Sequence, residues 1–467
     1  MFKNLFAPQD LTTGTPWKKI LFFTMPMLIG NIAQQFYSTV DTLVVGRFAE
    51  NGEDCIAAVG SALPIVNMLL VLFIGISAGA SVMVAQYYGS KNREGVSYTV
   101  GNCIVITAIA CVGLIVVTAP ILKWALGYLN IPVASDGSNA VFEGCYDYLF
   151  ISIIGGVGVG YYNILSGIIR GLGDSVSALV YLLVATVLNI GLDILFVASF
   201  GMGVAGVAWA TVISQVISSA LCMIKLARMR DTFDFGWKYF KLRAIYVKTV
   251  IKLGLPSGLT QAIFSSAMIV VQSLTNSFGA QFVAANVITM RVDGFAMMPN
   301  FSFGTALTTY AGQNVGAGQY DRVTKGAKQG TLMAVGCSAV ITGIILLFGK
   351  YLMAAFTDNS ALVNKSYQLM MILAVGYIAM AVTQSLSGIM RGAGDTMTPM
   401  WISLVTSVFF RIPLAYGIAY ITSPDGVFSH GWEKCIQISL LATWVIGAVL
   451  TFVFYRVGKW KTKAIKQ

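Results

Sequence analysis

Residues 164–178 read ILSGIIRGLGDSVSA, and residues 385–399 read SLSGIMRGAGDTMTP. The two stretches align without a gap, and the second half of the chain repeats further motifs of the first in the same order. A long internal repeat of this kind indicates a duplicated structural unit. We therefore expect the fold to consist of two equivalent halves.

The composition is that of a protein embedded in a membrane. The 467 residues are 57% hydrophobic and only 10% charged, with a mean hydropathy of +0.76. A soluble protein of this length carries about 25% charged residues. The apolar residues fall in long runs separated by short polar breaks, and a membrane-spanning helix needs about 20 such residues. The sequence predicts an all-α polytopic membrane protein.

The apolar runs predict twelve transmembrane helices, six in each half. Because six is even, both halves enter the membrane in the same direction, and a pseudo-two-fold axis along the membrane normal relates them. The predicted divisions are an amino-terminal lobe at 1–228, a cytoplasmic linker at 229–245 and a carboxy-terminal lobe at 246–467. The predicted spans are 18–46, 56–87, 97–120, 140–169, 175–199, 203–228, 246–277, 282–313, 323–349, 362–390, 396–422 and 434–457.

The net charge of +11 follows from the orientation in the membrane and does not indicate a nucleic-acid partner. With the amino terminus in the cytoplasm, about 22 basic residues fall inside and about 5 outside, as the positive-inside rule requires. We expect both termini in the cytoplasm, a multi-pass protein of the inner cell membrane, and contacts between the basic loops and anionic lipid head groups.

Enzymatic and metal-centre chemistry has little basis in this sequence. The seven cysteines are scattered without a CxxC pair, so we predict neither a disulfide framework nor a metal site of that type. The lone histidine, His430, lies in a predicted outer loop, and we interpret it as a solvated loop residue rather than a proton carrier. We expect no cofactor and no catalytic residues.

The repeated motif itself favours a structural role. Each copy supplies glycines for a tight turn, and an arginine and an aspartate four residues apart that could pair or cap a helix. The first copy contains Arg170 and Asp174, and the second contains Arg391 and Asp395.

Four polar residues of the first half fall at a similar depth in the predicted membrane. Asn189 and Asp193 lie one helical turn apart in the fifth span, and Thr211 lies equally far beyond the turn at 201–203, roughly 13 Å into the membrane. Asp41 lies near the outer end of the first span. Such a cluster could be a structural polar network. Two close carboxylates without a basic partner, however, share a proton or hold a cation, which favours a coupling site for H+ or Na+.

The second half does not repeat this cluster. Gln272 stands at the position that aligns with the first-span acid, and Asp293 lies near the middle of the eighth span. Asp293 either pairs with Arg411 or meets a cationic substrate. Met297 and Met298 follow one turn later, and methionines suit varied ligands as well as ordinary packing. We assign Asp293, Met297, Met298 and Gln272 to a candidate substrate site.

The sequence resembles the multidrug and toxic compound extrusion (MATE) family of secondary transporters over nearly its whole length. The motifs that carry the resemblance are MPMLIGNIAQQFYSTVDTLVVGRF near the start, SGIIRGLGD and SGIMRGAGD, NIGLD in the fifth span, GVAWATVISQ in the sixth and MPNFSFGTALTTYAGQNVGAG in the eighth. The resemblance implies two six-helix lobes, and export of amphipathic, often cationic compounds against inward flow of H+ or Na+ by alternating access.

The resemblance also implies roles for individual residues. In members with a cation site in the amino-terminal lobe, the matching positions here are Asp41, Asn189, Asp193 and Thr211, which would hold H+ or Na+. The proline that bends the first span matches Pro26. We expect a monomer that works in the lipid bilayer on small molecules.

One alternative function shares the two-lobe fold. A flippase for a lipid-linked precursor would line its cavity with basic residues that meet phosphate, and Arg291 and Arg411 are the intramembrane bases that keep this alternative open. A channel is disfavoured by the duplicated lobes. An intramembrane enzyme is disfavoured because no Ser/His or paired metal-ligand constellation occurs in the sequence.

Overall fold

A computed structural model describes residues 8–49, 52–127 and 139–465, and this part of the chain contains helices and no strands. The α-helices are α1 (Pro16–Phe48), α2 (Gly52–Gly89), α3 (Arg93–Gly127), α4 (Ala140–Gly171), α5 (Ser175–Asp193), α6 (Gly203–Arg228), α7 (Ala244–Ser277), α8 (Ala280–Gly316), α9 (Tyr320–Ala354), α10 (Ser360–Ala374), α11 (Gly376–Gly392), α12 (Met397–Leu404), α13 (Ile412–Thr422) and α14 (Cys435–Val457). The all-α prediction is confirmed.

The fourteen helices correspond in number and order to the twelve predicted spans when two pairs of helices are each counted as one. α10 and α11 are one span that bends by 45° between them, and α12 and α13 are joined into one span by the π-helix Val405–Arg411. α5 continues into a second π-helix, Ile194–Ser199, so that the fifth span ends where the sequence places it. Within the described residues, nine helices are long and apolar enough to cross a membrane, and the bent pair brings the number to ten.

The repeated motif forms the junction between two helices in each half. Asp174 caps α5, because its carboxylate accepts hydrogen bonds from the backbone N–H of Ser177 at 2.9 Å and from its hydroxyl at 2.6 Å. Asp395 does the same for Thr398 at the start of α12. Before each aspartate, a glycine adopts positive φ, +92° at Gly173. The capping role is confirmed in both copies.

Of the two roles left open for Arg170 and Asp174, the structure shows the helix cap and no pairing between them. Asp174 instead makes an ion pair with Lys225 of α6 at 3.2 Å, and Arg170 donates to the hydroxyl of Ser166 one turn back on its own helix. Because Asp174 caps α5, its carboxylate points toward the first turn of α5. It therefore points away from Arg170, which lies near the end of α4.

The chain divides into two compact units. The first unit contains Ile29–Gly258, and the second contains Asp10–Leu28 together with the chain from Leu259 onward. In the first unit α2 packs against α4 and α4 against α6, whereas in the second unit α8 packs against α11 and α9. The division therefore falls inside α1 and inside α7. The lobe boundaries 1–228 and 246–467 stay a prediction from the sequence.

Hydrogen bonds explain why the segment before α1 belongs to the second unit. The side chain of Gln313 accepts from the backbone N–H of Leu11 at 3.0 Å, and the guanidinium of Arg322 donates to the carbonyls of Leu11, Thr13 and Gly14. Leu11 is buried in the same apolar cluster as Trp460 near the carboxyl end.

The equivalent segment before α7 belongs to the first unit. The side chain of Asn102 donates to the carbonyls of Tyr239 and Lys241 and accepts from the backbone N–H of Arg243. The predicted linker 229–245 is thus attached to α3 by specific contacts. A sequence repeat reveals that two halves exist. It does not reveal to which unit the first residues of α1 and of α7 belong.

Candidate functional site

The helices α5 and α6 bring together part of the predicted cation site in the first unit. Asn189 lies one turn before Asp193 on α5, and Thr211 lies on α6. The side-chain amide of Asn189 donates to the hydroxyl of Thr211 at 3.4 Å. Asn189 and Asp193 are both 0% exposed. The structure thus places Asn189 beside Thr211, and the equal depth of Asp193 and Thr211 stays a prediction.

The backbone changes form at Asp193. This residue is the last of α5, and the π-helix Ile194–Ser199 begins directly after it. π-Helical turns are rare and occur frequently at functional sites, because the extra residue redirects side chains relative to the regular helix. A buried carboxylate at such a break is poorly explained by apolar packing.

The remaining member of the predicted site, Asp41, lies outside the residues whose side chains the structure describes, although α1 runs through this position. The two-carboxylate cluster accordingly stays a prediction. Pro26 lies within α1 and is partly exposed, and the helix continues on both sides of it. The role of Pro26 as a bend also stays a prediction.

In the second unit, Asp293 of α8 has a hydrogen-bond partner that the sequence does not reveal. The hydroxyl of Tyr377, on α11, donates to the Asp293 carboxylate at 2.9 Å. Among the described residues, Asp293 forms no ion pair with Arg411 within 4.0 Å, so the first of the two alternatives, a direct pairing, is not formed. The two charges nevertheless interact electrostatically, and Asp293 is partly exposed.

The other residues assigned to the substrate site have different surroundings. Met297 and Met298 are each 6% exposed, and Met297 packs in an apolar cluster with residues of α10, α11 and α14. Gln272 is exposed on α7, where its amide donates to the side chain of Asn276 at 2.8 Å. Gln272 therefore hydrogen-bonds to Asn276, whereas Asp293 hydrogen-bonds to Tyr377, and the described contacts do not join Gln272 to Asp293.

Arg411 is the most deeply buried of the intramembrane bases predicted from the sequence. It is the last residue of the π-helix Val405–Arg411 and is 4% exposed, whereas Arg291 is exposed. Its guanidinium carbon lies 6.0 Å from the centre of the Phe264 ring of α7, in a cation–π contact. Its Nε and Nη1 atoms have no hydrogen-bond partner among the described residues.

Sequence reasoning missed Tyr377 and Phe264. Both are aromatic residues in apolar spans, where aromatic side chains are ordinary packing residues. Their roles arise from the helices that face them, and neither spacing nor composition signals them. In contrast, Arg411 and Asp293 are identifiable because charges are rare in such spans.

Comparisons with known proteins agree with this architecture. The sequence profile of the MatE family matches residues 26–195 and again residues 256–417, once in each half. The chain is 27% identical over 470 residues to the probable multidrug resistance protein YoeA of Bacillus subtilis, covering 98% of this chain and 97% of that protein. It is 23% identical over 476 residues to the probable multidrug resistance protein NorM of Thermotoga maritima, covering 100% and 97%.

A solved structure supports the same fold. The crystal structure of MATE in complex with MaL6 has a TM-score of 0.86 and 22% sequence identity, and the alignment covers 96% of this chain and 97% of that one. The family profile matches well over half of the chain. The protein is therefore a multi-pass membrane protein that belongs to the MatE family of transporters.

Proposed function

We propose that this protein is a secondary antiporter that exports amphipathic, often cationic compounds in exchange for H+ or Na+ by alternating access. The observation that carries the proposal is Asp193, a fully buried carboxylate at a π-helical break, one turn from Asn189 and its partner Thr211. Acidic residues within membrane helices are rare, and they mark ion and substrate pathways. The naming of relatives as multidrug resistance proteins supports the choice of substrate class.

The proposed coupling site takes its ion in one of two ways. A proton would bind to the carboxylate of Asp193 or of Asp41, because burial disfavours the charged form of an acid. A sodium ion would use the same carboxylates, and Asn189 and Thr211 would supply neutral oxygens, which are ligands that hard cations accept. Each unit charge that moves inward contributes about 2.3 kcal/mol per 100 mV of membrane potential.

Ion binding is proposed to change the balance between two conformations. A neutralised site would favour the state that releases substrate outward, and release of the ion to the cytoplasm would restore the inward-open state. Pro26 would supply the bend, since proline removes one hydrogen bond of the helix. The position of Pro26, two residues before the division between the units in α1, supports this assignment.

The test is efflux of rhodamine 123 from proteoliposomes, driven separately by a pH gradient and by a sodium gradient. Stimulation by one gradient and not the other identifies the ion. Efflux that responds to neither gradient would contradict antiport, and sided reconstitution with added protease would check that the termini face the cytoplasm.

The coupling residue is tested with Asp193→Asn. We expect this variant to fold and reach the membrane but to lose gradient-driven efflux by tenfold or more, because an amide neither binds a proton nor compensates a cation. The matched control is Asp147→Asn, which changes an exposed aspartate of α4 in the same unit. Wild-type efflux rates in Asp193→Asn would remove this residue from the site; Asp41→Asn tests the second carboxylate in the same way.

The flippase alternative has less support. Of the two bases that motivated it, Arg291 is exposed and Arg411 is buried beside Phe264, so the two do not share one surrounding. The curated relatives are described as multidrug resistance proteins. Export of a soluble dye, with no effect on movement of a fluorescent lipid between leaflets, is the result that we expect from the same proteoliposomes.

A further inference from the structure

The linker that precedes α7 is held along α3 at three successive levels. At the first level, the guanidinium of Arg93 pairs with the carboxylate of Asp234 at 2.7 Å. At the second, the hydroxyl of Ser97 accepts from the backbone N–H of Asp234 at 2.8 Å. At the third, the side-chain amide of Asn102 donates to the carbonyl of Lys241 at 3.2 Å. Because these residues of α3 follow one another at intervals of about one helical turn, the linker runs lengthwise beside α3.

This path carries the linker to the level at which α3 enters the predicted membrane. The predicted span of α3 begins at residue 97, and the 3₁₀ turn Trp237–Phe240 lies beside Gly101. A Cβ atom on Gly101 would overlap the carbonyl group of Tyr239, so the two backbones are in direct contact. At 1.5 Å per residue, Gly101 lies about 6 Å beyond the start of the span. The 3₁₀ turn is therefore at the membrane surface and not out in the solvent.

The part of the turn that α3 leaves uncovered carries an indole next to lysines. Trp237 is 90% exposed, and the centre of its ring lies 5.7 Å from that of Phe240. Lys238 and Lys241 are also exposed, and neither forms an ion pair among the described residues. Residues 237–252 contain five basic and no acidic residues. An exposed indole is poorly placed in water, but it suits a membrane interface, where the apolar ring and the N–H both find partners.

Other groups hold the linker to α3, so that these lysines are not needed for its attachment. The guanidinium carbon of Arg243 lies 3.6 Å from the centre of the buried Tyr98 ring, and the guanidinium also donates to the Tyr98 hydroxyl. The ring of Tyr239 packs edge-on against that of Tyr98. The ammonium groups of Lys238 and Lys241 stay at the surface. The linker thus presents a preformed basic and aromatic surface.

We propose that the 3₁₀ turn and its two lysines form a binding site for anionic phospholipids of the cytoplasmic leaflet. The indole of Trp237 would lie among the head groups, and the ammonium groups of Lys238 and Lys241 would contact lipid phosphates. Zwitterionic lipids are attracted less, because their choline group compensates the charge of the phosphate. Since Arg243 directly precedes α7, bound lipid would hold the start of α7 at the membrane surface. The inference does not depend on which ion or compound the protein transports.

The test measures which lipid lies next to Trp237. The purified full-length protein is placed in nanodiscs of equal parts phosphatidylglycerol and phosphatidylcholine, with bromine on the acyl chains of only one of the two lipids. Bromine quenches indole fluorescence on contact. Since the chain has eight tryptophans, the contribution of Trp237 is the difference between the wild type and Trp237→Phe. We expect brominated phosphatidylglycerol to quench this contribution about twofold or more as strongly as brominated phosphatidylcholine.

The two lysines are tested by the ratio of these two quenching values. In the double variant Lys238→Gln with Lys241→Gln, we expect the ratio to fall to about one. The matched control is Lys325→Gln with Lys328→Gln, which removes two exposed lysines of the same spacing from α9 and should leave the ratio unchanged. Added salt should also lower the ratio of the wild type, because salt screens exposed charges. That comparison needs no lysine variant.

The same measurements contain the results that would overturn the proposal. Equal quenching by the two lipids in the wild type would exclude a preference for anionic lipid. Absence of quenching by either lipid would show that Trp237 does not contact the membrane, and a Trp237 emission that then shifts with protein concentration would assign the surface to a second copy of the chain. A ratio that survives in the double variant would remove Lys238 and Lys241 from the site.

Discussion

Asp174 and Asp193 lie next to the two ends of α5 and have opposite surroundings. Asp174 accepts two hydrogen bonds from Ser177 and pairs with Lys225, so that its charge is fully used by the fold. Asp193 is buried where the α-helix gives way to a π-helix. An aspartate therefore stabilises the fold at the start of α5, whereas at its end an aspartate is the proposed ion-coupling residue. The difference lies in the groups around each carboxylate.

His430 and Asp425 contact each other in a loop outside the predicted membrane spans. The imidazole Nδ1 of His430 lies 2.6 Å from a carboxylate oxygen of Asp425, in the loop between α13 and α14. Hydrogen bonds from the hydroxyl of Ser423, from the backbone N–H of Val427 and from His430 lower the pKa of Asp425 to about 2. The position of His430 in an exposed loop matches the sequence interpretation.

The lowered pKa of Asp425 gives a pH dependence with a definite sign. The carboxylate contacts stabilise the loop fully above the unfolded pKa of about 3.9, and they are lost as the pH falls from there through the folded value. We expect hydrogen-exchange protection of the Val427 amide to fall between about pH 4 and pH 2. Asp425→Ala should remove that protection at pH 7, and Asp358→Ala in another loop should not. Equal protection in Asp425→Ala and the wild type would contradict the assignment.

At the scale of elements, the repeated GxxxG segments allow two helices of each half to approach closely. A Cβ atom on Gly388 of α11 would lie 2.3 Å from the carbonyl oxygen of Gly304 of α8, and the equivalent atom on Gly167 of α4 would lie 2.3 Å from the Ser77 hydroxyl of α2. Small residues at such crossings are the usual means of packing helices in a membrane. The repeated motif is thus both a helix crossing and a capped turn.

The crossing predicts a specific cost of substitution. Gly388→Ala should destabilise the protein by about 1–3 kcal/mol, because the backbone of α8 must move to admit the methyl group. Gly417→Ala on α13 is the matched control, since nothing lies within 4 Å of the added atom there. That variant should be neutral or slightly stabilising, as alanine is in a helix. Thermal unfolding of the purified variants checks both, and similar midpoints for the two would refute the close crossing.

At the scale of the whole molecule, each unit contains the start of a helix that continues in the other. The division falls two residues after Pro26 in α1 and two residues after Pro256 in α7. A proline removes one backbone hydrogen bond of its helix and so weakens the helix locally. Both divisions therefore lie close to a weakened point of the helix. The division therefore lies at equivalent positions in α1 and in α7, two residues after a proline in each helix.

The attachment of the first segment predicts a local loss of order in a variant. Arg322→Gln removes the hydrogen bonds to the carbonyls of Leu11, Thr13 and Gly14. Amide hydrogen exchange in residues 10–15 should become about tenfold faster, which corresponds to about 1.4 kcal/mol of lost local stability. Lys328→Gln, an exposed cation on the same helix, is the control. Unchanged exchange in Arg322→Gln would show that other contacts hold the segment.

The sequence by itself determined the helical class, the duplication and the residues whose charge is out of place in lipid. These follow from apolar run length and from local hydrogen bonding, both of which act between near neighbours in the chain. Only the tertiary structure decided that Tyr377 partners Asp293, that Arg411 is buried against Phe264, and that the starts of α1 and α7 are exchanged between units. Those outcomes depend on which helix faces meet, and contacts between residues far apart in the chain are set by packing, which a local pattern does not encode.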